Sequence, residues 1–170
     1  PLALAFSKVR PVIGFDISHE RINELNIGID RTKEFETEEL LSNKNIKYTN
    51  YDDDIAKCNF YIITVPTPIN ESKLPDLEPL LNASKQVANI LKKGDVVVYE
   101  STVYPGATEE ECLPILEKIS GLKLNKDFFL GYSPERINPG DQNHKVNDIV
   151  KVTSGSCREA ADLIDIVYSE

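Results

Sequence analysis

Short runs of successive apolar residues recur along the chain, and each is followed by a turn and then by a helical pattern. Residues 61–65 and 96–98 are apolar without the alternation typical of half-exposed strands. Such runs are expected in a parallel sheet that helices cover on both faces. Strands are predicted at residues 12–16, 46–49, 60–65, 96–100, 128–132 and 149–153. The pattern predicts an α/β fold built on a doubly wound, mostly parallel sheet.

Helix signals lie between these strands. Ser18 is placed to cap a helix, and a longer helix follows Asp76 and ends before Gly94. The last helix opens on Ser156, with Glu159 three positions later, which is a capping-box pattern. Strands that alternate with helices in this way predict βαβ units.

The first residues fit this fold poorly, because residues 2–6 have the character of a buried helix with no strand before them. In a dinucleotide-binding sheet the first strand is central, and the Gly-rich turn after it holds the pyrophosphate. Either the sequence is part of a longer chain or the topology differs. We expect residues 1–170 to form one domain that lacks the first strand and the Gly-rich turn.

Composition excludes several classes of function. The net charge of −9 argues against a general nucleic-acid binder, which needs dense Lys and Arg. No apolar run approaches the ~20 residues that span a bilayer. Cys58, Cys112 and Cys157 are isolated and lack metal-ligand spacing, so no metal site is predicted and reduced, cytoplasmic thiols are expected.

Two loops that follow predicted strands carry candidate cofactor contacts. Asp16 ends the strand at residues 12–16, where such folds bind the ribose hydroxyls of NAD and where a carboxylate repels the 2′-phosphate of NADP. The alternative is that Asp16 only helps to start the next helix. Residues 64–68 form a loop stiffened by two prolines, which is either a ligand-binding edge or simply a rigid turn.

Two further loops carry candidate catalytic groups. Ser101 and Thr102 follow a strand, and we expect their hydroxyls to face the crevice, although such residues are also common as helix caps. Glu135 follows another strand between Ser133 and a polar segment that includes Arg136 and Asn138. It is a candidate general base, and a solvated salt bridge is the competing interpretation.

These loops together resemble the UDP-glucose/GDP-mannose dehydrogenase family. The resemblance rests on residues 64–68, 100–106 and 132–141, with Asp16 and Arg21 fitting the same family. The form of the third motif is similar to that of the branch that acts on UDP-N-acetylglucosamine or UDP-N-acetylgalactosamine. The resemblance implies a Rossmann-like NAD-binding domain and NAD as cofactor.

The resemblance also implies roles for individual residues. Asp16 and Arg21 would contact the adenosine ribose, while Val65, Pro66 and Thr67 would pack on the cofactor. Thr102 would lie near the nicotinamide and a catalytic water, and Glu135 would act in acid/base chemistry. The sugar would be bound by Glu135, Arg136, Ile137 and Asn138. The family's second acidic residue, four positions beyond Glu135, is replaced by Pro139.

The activity implied by the resemblance is oxidation of the C6 hydroxyl of a UDP-N-acetylhexosamine in two successive hydride transfers. It would serve bacterial surface polysaccharide synthesis, such as capsule and O-antigen, in a cytoplasmic homodimer. The family's nucleophilic cysteine, connecting helix and UDP-binding domain match nothing in residues 1–170. Three alternatives stay open: a UDP-glucose dehydrogenase, a UDP-N-acetylmannosamine dehydrogenase and a non-catalytic α/β binding module.

Overall fold

The chain divides into two compact units in a computed structural model that describes residues 1–69, 75–135 and 150–170. The N-terminal unit contains Pro1–Lys57. The C-terminal unit contains the described residues between Cys58 and Glu135 together with Lys151–Ser169.

The N-terminal unit is a small α/β layer around two parallel strands. Its elements are α1 (Leu2–Phe6), β1 (Val12–Phe15), α2 (His19–Asn26), α3 (Thr37–Ser42), β2 (Ile46–Thr49) and α4 (Asp52–Ile55). The two strands pair in register from Val12 with Ile46 to Phe15 with Thr49. Helix α1 is present as predicted, although Leu4 is its one buried residue.

The C-terminal unit contains a four-stranded sheet in the order β3-β4-β5-β6. Its elements are β3 (Phe60–Ile63), α5 (Glu78–Ile90), β4 (Val96–Tyr99), a π-helical turn (Thr108–Cys112), α6 (Leu113–Ser120), β5 (Phe129–Tyr132), β6 (Ser154–Gly155) and α7 (Arg158–Tyr168). Strands β3, β4 and β5 are parallel, and the short β6 runs antiparallel to β5.

The successive apolar residues of β4 are explained by packing on both faces of this sheet. Val97 and Tyr99 are buried in a core shared with Leu80 of α5 and Leu116 of α6. Val96 and Val98 point to the other face, where they pack with Ile164 of α7. All four residues of β4 are buried, as expected for a strand covered on both sides.

The described strands form two separate sheets, β1-β2 and β3-β4-β5-β6. Five predicted strands are confirmed, the strand at residues 46–49 with its predicted ends and the other four with shorter ends. The carboxyl ends of β1, β3, β4 and β5 each precede one of the loops chosen from the sequence.

The sixth predicted strand, residues 149–153, is wrong in position. Residue 149 lies outside the described residues, and Val150–Thr153 form no strand. The chain pairs with β5 later, at Ser154 and Gly155. These two residues are small enough to fit in the narrow space between β5 and α7. Val150 is 82% exposed, so the apolar character that suggested a buried strand does not reflect burial here.

The predicted helix caps are correct at one helix, shifted at a second and wrong at a third. Ser18 Oγ accepts a hydrogen bond from the Arg21 backbone N–H at 3.2 Å, as predicted. Asp76 accepts from the backbone N–H of Glu78 at 2.9 Å, although Leu77 is the N-cap residue of α5.

Ser156 does not cap α7, whose N-cap is Cys157 without a side-chain hydrogen bond. The Ser156 hydroxyl accepts from the backbone N–H of Leu130 at 3.1 Å and bonds Asn125 Oδ1 at 2.5 Å. Its hydrogen-bonding capacity is therefore used on β5 and the loop before it, so the capping-box prediction is wrong.

Replacing Gly155 with Ala is expected to destabilise the C-terminal unit by about 1–3 kcal/mol through overpacking. A Cβ atom at this position would lie 2.3 Å from the backbone nitrogen of Ala161, so α7 would have to move. Urea unfolding of the full-length protein containing these residues measures the loss. Asn89→Ala, on an exposed position of α5, is the control and should change stability by less than about 0.5 kcal/mol. An equal effect of the two substitutions would contradict the packing argument.

Candidate functional site

Asp16 lies directly after β1, at the carboxyl end where the sequence predicted it. Its backbone N–H donates to the Thr49 carbonyl at 3.2 Å, which continues the pairing of the two strands by one step. Its Oδ1 accepts from the backbone N–H of Ser18 at 2.8 Å, so the residue does help to start α2. The second carboxylate oxygen has no partner among the described residues. Asp16 can therefore shape the turn and still accept a hydrogen bond from a ribose hydroxyl.

Arg21 belongs to the first turns of α2, and its guanidinium is largely held within the protein. Nη2 donates to Asp30 Oδ1 at 2.8 Å, while Nη1 lies 3.8 Å from a Glu24 oxygen. Nη1 is buried and has no hydrogen-bond partner in the part of the chain that the structure describes. The predicted ribose contact of Arg21 stays a prediction.

Asp30 organises the loop after α2, a role that sequence reasoning missed. Its carboxylate accepts from Arg21 at 2.8 Å, from the Thr32 hydroxyl at 2.7 Å and from three backbone N–H groups. Burial acts to raise the pKa of Asp30, but the hydrogen bonds from Arg21, Thr32 and the backbone of Glu34 outweigh it and hold the pKa well below its usual range. The sequence offered one signal, a carboxylate between Gly28 and Thr32 in the segment that follows the first predicted strand and helix.

In the C-terminal unit, two side-chain hydrogen bonds join the loops after β3 and β4. Ser101 Oγ donates to the Val65 carbonyl at 2.6 Å, and Thr67 Oγ1 donates to the Thr102 carbonyl at 2.6 Å. The structure thus brings together three of the predicted cofactor contacts: Val65, Thr67 and Thr102. Pro66, between them, is exposed.

Ser101 and Thr102, the two hydroxyl residues of the loop after β4, differ in burial. Ser101 is buried, and its hydroxyl donates a hydrogen bond to the Val65 carbonyl. The expectation that this hydroxyl faces the crevice is therefore wrong. Thr102 is exposed, and its hydroxyl has no partner within the described ranges. Thr102 alone is therefore available to a ligand, and Ser101 holds the loop that presents it.

The loop after β5 begins with two residues of opposite character. Ser133 is fully buried, donates its backbone N–H to the Tyr99 carbonyl at 3.0 Å, and has a hydroxyl without a partner in the described residues. The side chain of Glu135 is 34% exposed, and its Oε2 lies 3.5 Å from Lys151 Nζ. Glu135 thus takes part in a salt bridge, but its partner is Lys151, whose side chain is 10% exposed, and the bridge is not the solvated one considered from the sequence. Arg136, Ile137 and Asn138 lie outside the described residues.

Three further groups meet beside Glu135, and sequence reasoning assigned none of them a role. Glu100, at the end of β4, is 1% exposed and binds Lys151 Nζ at 2.7 Å through Oε2. Its Oε1 accepts a hydrogen bond from the Tyr168 hydroxyl of α7. Burial raises the pKa of Glu100, and the hydrogen bonds from Lys151 and Tyr168 oppose this effect. The pKa of Tyr168 is also raised by its burial and by the Glu100 carboxylate.

Metal-binding clusters and cysteine thiols are the other groups that could carry chemistry. No group of His, Cys, Asp and Glu suited to a metal ion occurs among the described residues. Cys58, Cys112 and Cys157 are free thiols. Burial raises the pKa of Cys58 and of Cys112, which disfavours the thiolate needed of a nucleophile. In the described part of the chain, no helix combines the length and apolar character needed to cross a membrane.

The sequence profile of the UDP-glucose/GDP-mannose dehydrogenase family, NAD binding domain, matches residues 1–170. The chain belongs to this family. Its Rossmann-like fold and NAD as the family's cofactor agree with the expectations from the loops.

Individual relatives and a solved structure also support membership of this dehydrogenase family. The chain is 58% identical, over all of its 170 residues, to a UDP-N-acetyl-D-glucosamine 6-dehydrogenase of Pseudomonas aeruginosa, of which it covers 40%. It is 54% identical to Protein CapL of Staphylococcus aureus, over 99% of this chain and 40% of that protein. The solved structure of the UDP-D-ManNAc dehydrogenase from Pyrococcus horikoshii matches with a TM-score of 0.88 and 32% identity, over 99% of this chain and 41% of the other. The chain thus spans about two fifths of the length of these relatives.

Proposed function

We propose that these residues form the cofactor-binding part of a longer enzyme that oxidises the C6 hydroxyl of UDP-N-acetyl-D-glucosamine to a carboxylate. The observation that carries the proposal is the 58% identity, over every residue of the chain, to a protein named for this activity. A longer enzyme is proposed because the chain covers 40% of that relative.

The residues present fit NAD. Asp16 has one carboxylate oxygen without a partner among the described residues, and a ribose hydroxyl can donate to it. Val65, Pro66 and Thr67 belong to a loop that two hydrogen bonds tie to its neighbour, which makes it a firm surface for a flat ring. When bound, NAD supplies the acceptor for hydride. We assign the ribose to Asp16, with Arg21 as its neighbour, and the cofactor surface to the 65–67 loop.

Thr102 and Glu135 are proposed as the groups that act on the substrate and on water. The exposed hydroxyl of Thr102 can orient a water molecule, because Thr67 fixes the backbone of the same residue. Glu135 offers a carboxylate that is partly open to solvent and can take a proton from a hydroxyl or a water. We also assign the sugar-binding role to Glu135, Arg136, Ile137 and Asn138, on the basis of the family motif.

The competing functions differ in substrate or in class. A UDP-N-acetylmannosamine dehydrogenase is supported by a relative that is 34% identical, and a UDP-glucose dehydrogenase by a fold match at 23% identity. Both are less similar to this chain than the UDP-N-acetyl-D-glucosamine enzyme is. A non-catalytic binding module would retain the fold without turnover.

The test is the kcat/KM of the full-length protein for UDP-N-acetyl-glucosamine, -galactosamine and -mannosamine and for UDP-glucose, with NADH absorbance as readout. We expect UDP-N-acetyl-glucosamine to be preferred. A preference for another sugar would overturn the substrate assignment. No turnover and no change in melting temperature with NAD would favour the binding module, because ligand at ~100 Kd should add about 2.7 kcal/mol.

Residues 1–170 alone are expected to produce no NADH with any of these UDP-sugars. The family's cysteine nucleophile matches none of the three thiols, and two of them have pKa values raised by burial. NADH formation by the isolated chain, measured beside the full-length protein, would contradict this expectation.

We propose a cytoplasmic homodimer as the form of the full-length enzyme, with no nucleic-acid partner. The net charge of −9 disfavours phosphate backbones, and the substrate is a soluble UDP-sugar. We propose that the product enters bacterial surface polysaccharide. A role in capsule is supported by the similarity to CapL, and a role in O-antigen by the resemblance to the branch that acts on UDP-N-acetylhexosamines.

A further inference from the structure

Lys151 lies between two carboxylates at the end of the C-terminal sheet. Its Nζ is 2.7 Å from Glu100 Oε2 and 3.5 Å from Glu135 Oε2. The Lys151 side chain is only 10% exposed, and that of Glu100 is 1% exposed. One buried ammonium is thus shared by a structural carboxylate and by the carboxylate proposed to act on the substrate.

Glu100, the carboxylate on the other side of Lys151 from Glu135, is held in place by regular secondary structure. Glu100 follows β4, and its backbone N–H donates to the Ile63 carbonyl at 2.9 Å. The Tyr168 hydroxyl, from α7, donates to the second oxygen of Glu100. Glu100 therefore has little freedom, and a lysine bonded to it at 2.7 Å is held in the same place. Side chains held in this way can position a catalytic group more accurately than a loop can by itself.

We propose that Lys151 is a positioning residue for Glu135, which it holds in place and in the ionised form, while Glu100 and Tyr168 fix Lys151. The role of Glu135 in turnover is taken from the proposed function. Within the described ranges Lys151 contacts Glu100 after β4 and Glu135 after β5, and Tyr168 of α7 contacts Glu100. The two carboxylates compete for one cation, so each substitution has a predictable sign.

The first variant is the double substitution Lys151→Met with Glu100→Gln, in the full-length protein. Removing both members avoids leaving a buried charge without its partner. Glu135 then loses both the ammonium that contacts it and the opposing negative charge of Glu100. Because the ammonium is the charge in direct contact, at 3.5 Å, the acidic limb of the kcat profile against pH should still move up, by at most about one unit. We expect kcat at neutral pH to fall, with KM for NAD unchanged. Lys151→Arg keeps the positive charge and should retain most of the kcat.

Glu100→Gln alone should act in the opposite direction. Lys151 then has one anionic partner instead of two, and a negative charge near Glu135 is removed. The acidic limb should move to lower pH. The matched control is Lys123→Met with Glu117→Gln, a pair in the same unit with Nζ and Oε2 3.0 Å apart and side chains 63% and 27% exposed. This control should leave the limb and kcat unchanged.

If Lys151 only stabilised the fold, these substitutions would lower the melting temperature and leave the acidic limb of the kcat profile at the same pH. A folded Lys151→Met/Glu100→Gln protein with the limb and kcat of the unsubstituted protein would overturn the proposal. If that variant does not fold, an unshifted limb in Glu100→Gln overturns it instead.

Carbon-13 NMR of selectively labelled Glu carboxyls, with Glu135→Gln to assign the signal, provides a readout that needs no turnover. The Glu135 midpoint should rise by at most about one pH unit in the double variant. An unshifted midpoint contradicts the positioning role whatever the substrate, whereas a shifted midpoint without UDP-sugar oxidation contradicts only the proposed function.

Discussion

Replacing Glu135 with Gln in the full-length protein is expected to lower kcat for UDP-N-acetyl-D-glucosamine by about 10²–10⁴-fold, the usual contribution of a positioned acid or base. The amide has the size of the carboxylate but cannot take a proton. Because Glu135 is assigned to the chemistry more than to binding, kcat and kcat/KM should fall together. Initial rates at saturating NAD measure both quantities.

The control for this substitution is Glu109→Gln, an exposed glutamate in the π-helical turn of the same unit. It should leave kcat within about twofold of the unsubstituted value, since exposed substitutions away from a site have small effects. If Glu135→Gln raises KM and leaves kcat unchanged, Glu135 binds the sugar without acting on protons.

Replacing Asp30 with Asn is expected to destabilise the N-terminal unit by about 3–5 kcal/mol, because it removes one member of a buried ion pair. The Asp30 side chain is 2% exposed and bonds Arg21 at 2.8 Å. The amide that replaces it cannot accept at both ends, so backbone N–H groups of the 32–35 loop lose an acceptor as well. Urea unfolding of the full-length protein measures the loss.

The effect of Asp30→Asn should depend on pH with a definite sign. The folded-state pKa of Asp30 is lowered, so its ionised form contributes stability above the unfolded value of about 3.9. That contribution is lost as pH falls through the folded pKa. The difference between variant and unsubstituted protein should therefore be full at pH 7 and shrink toward pH 2.

Glu20→Gln is the matched control in the same unit. Glu20 Oε2 lies 3.5 Å from Arg31 Nη2, and the Glu20 side chain is 79% exposed. An exposed pair of this kind contributes about 0–1 kcal/mol. Equal losses from the two substitutions, or a loss from Asp30→Asn that does not vary with pH, would contradict the role assigned to Asp30.

Local patterns in the sequence were enough to predict the strands and the loops that carry the candidate site. The runs at residues 60–63 and 96–99 are apolar on successive positions because helices cover both faces of the sheet. The loops after such strands share one edge of a parallel sheet, which is why Thr67 and Thr102 could be expected to meet.

Contacts between distant parts of the chain could not be predicted in this way. Lys151 is 51 residues from Glu100, and Tyr168 is 68 residues from it. No periodicity links such positions, because burial of a Lys–Glu pair depends on tertiary packing. The same applies to Ser156, whose hydroxyl bonds β5 and Asn125 although its local pattern is that of a cap.

The most direct test of the dehydrogenase assignment is the amount of NADH formed per molecule of UDP-N-acetyl-D-glucosamine consumed by the full-length protein at saturating NAD. Oxidation of a C6 hydroxyl to a carboxylate removes two hydrides, so we expect two NADH per sugar, with a uronic acid as product. One NADH per sugar would mean that the aldehyde is the product. No NADH with this substrate would contradict the assignment of the full-length protein as a dehydrogenase of UDP-N-acetyl-D-glucosamine.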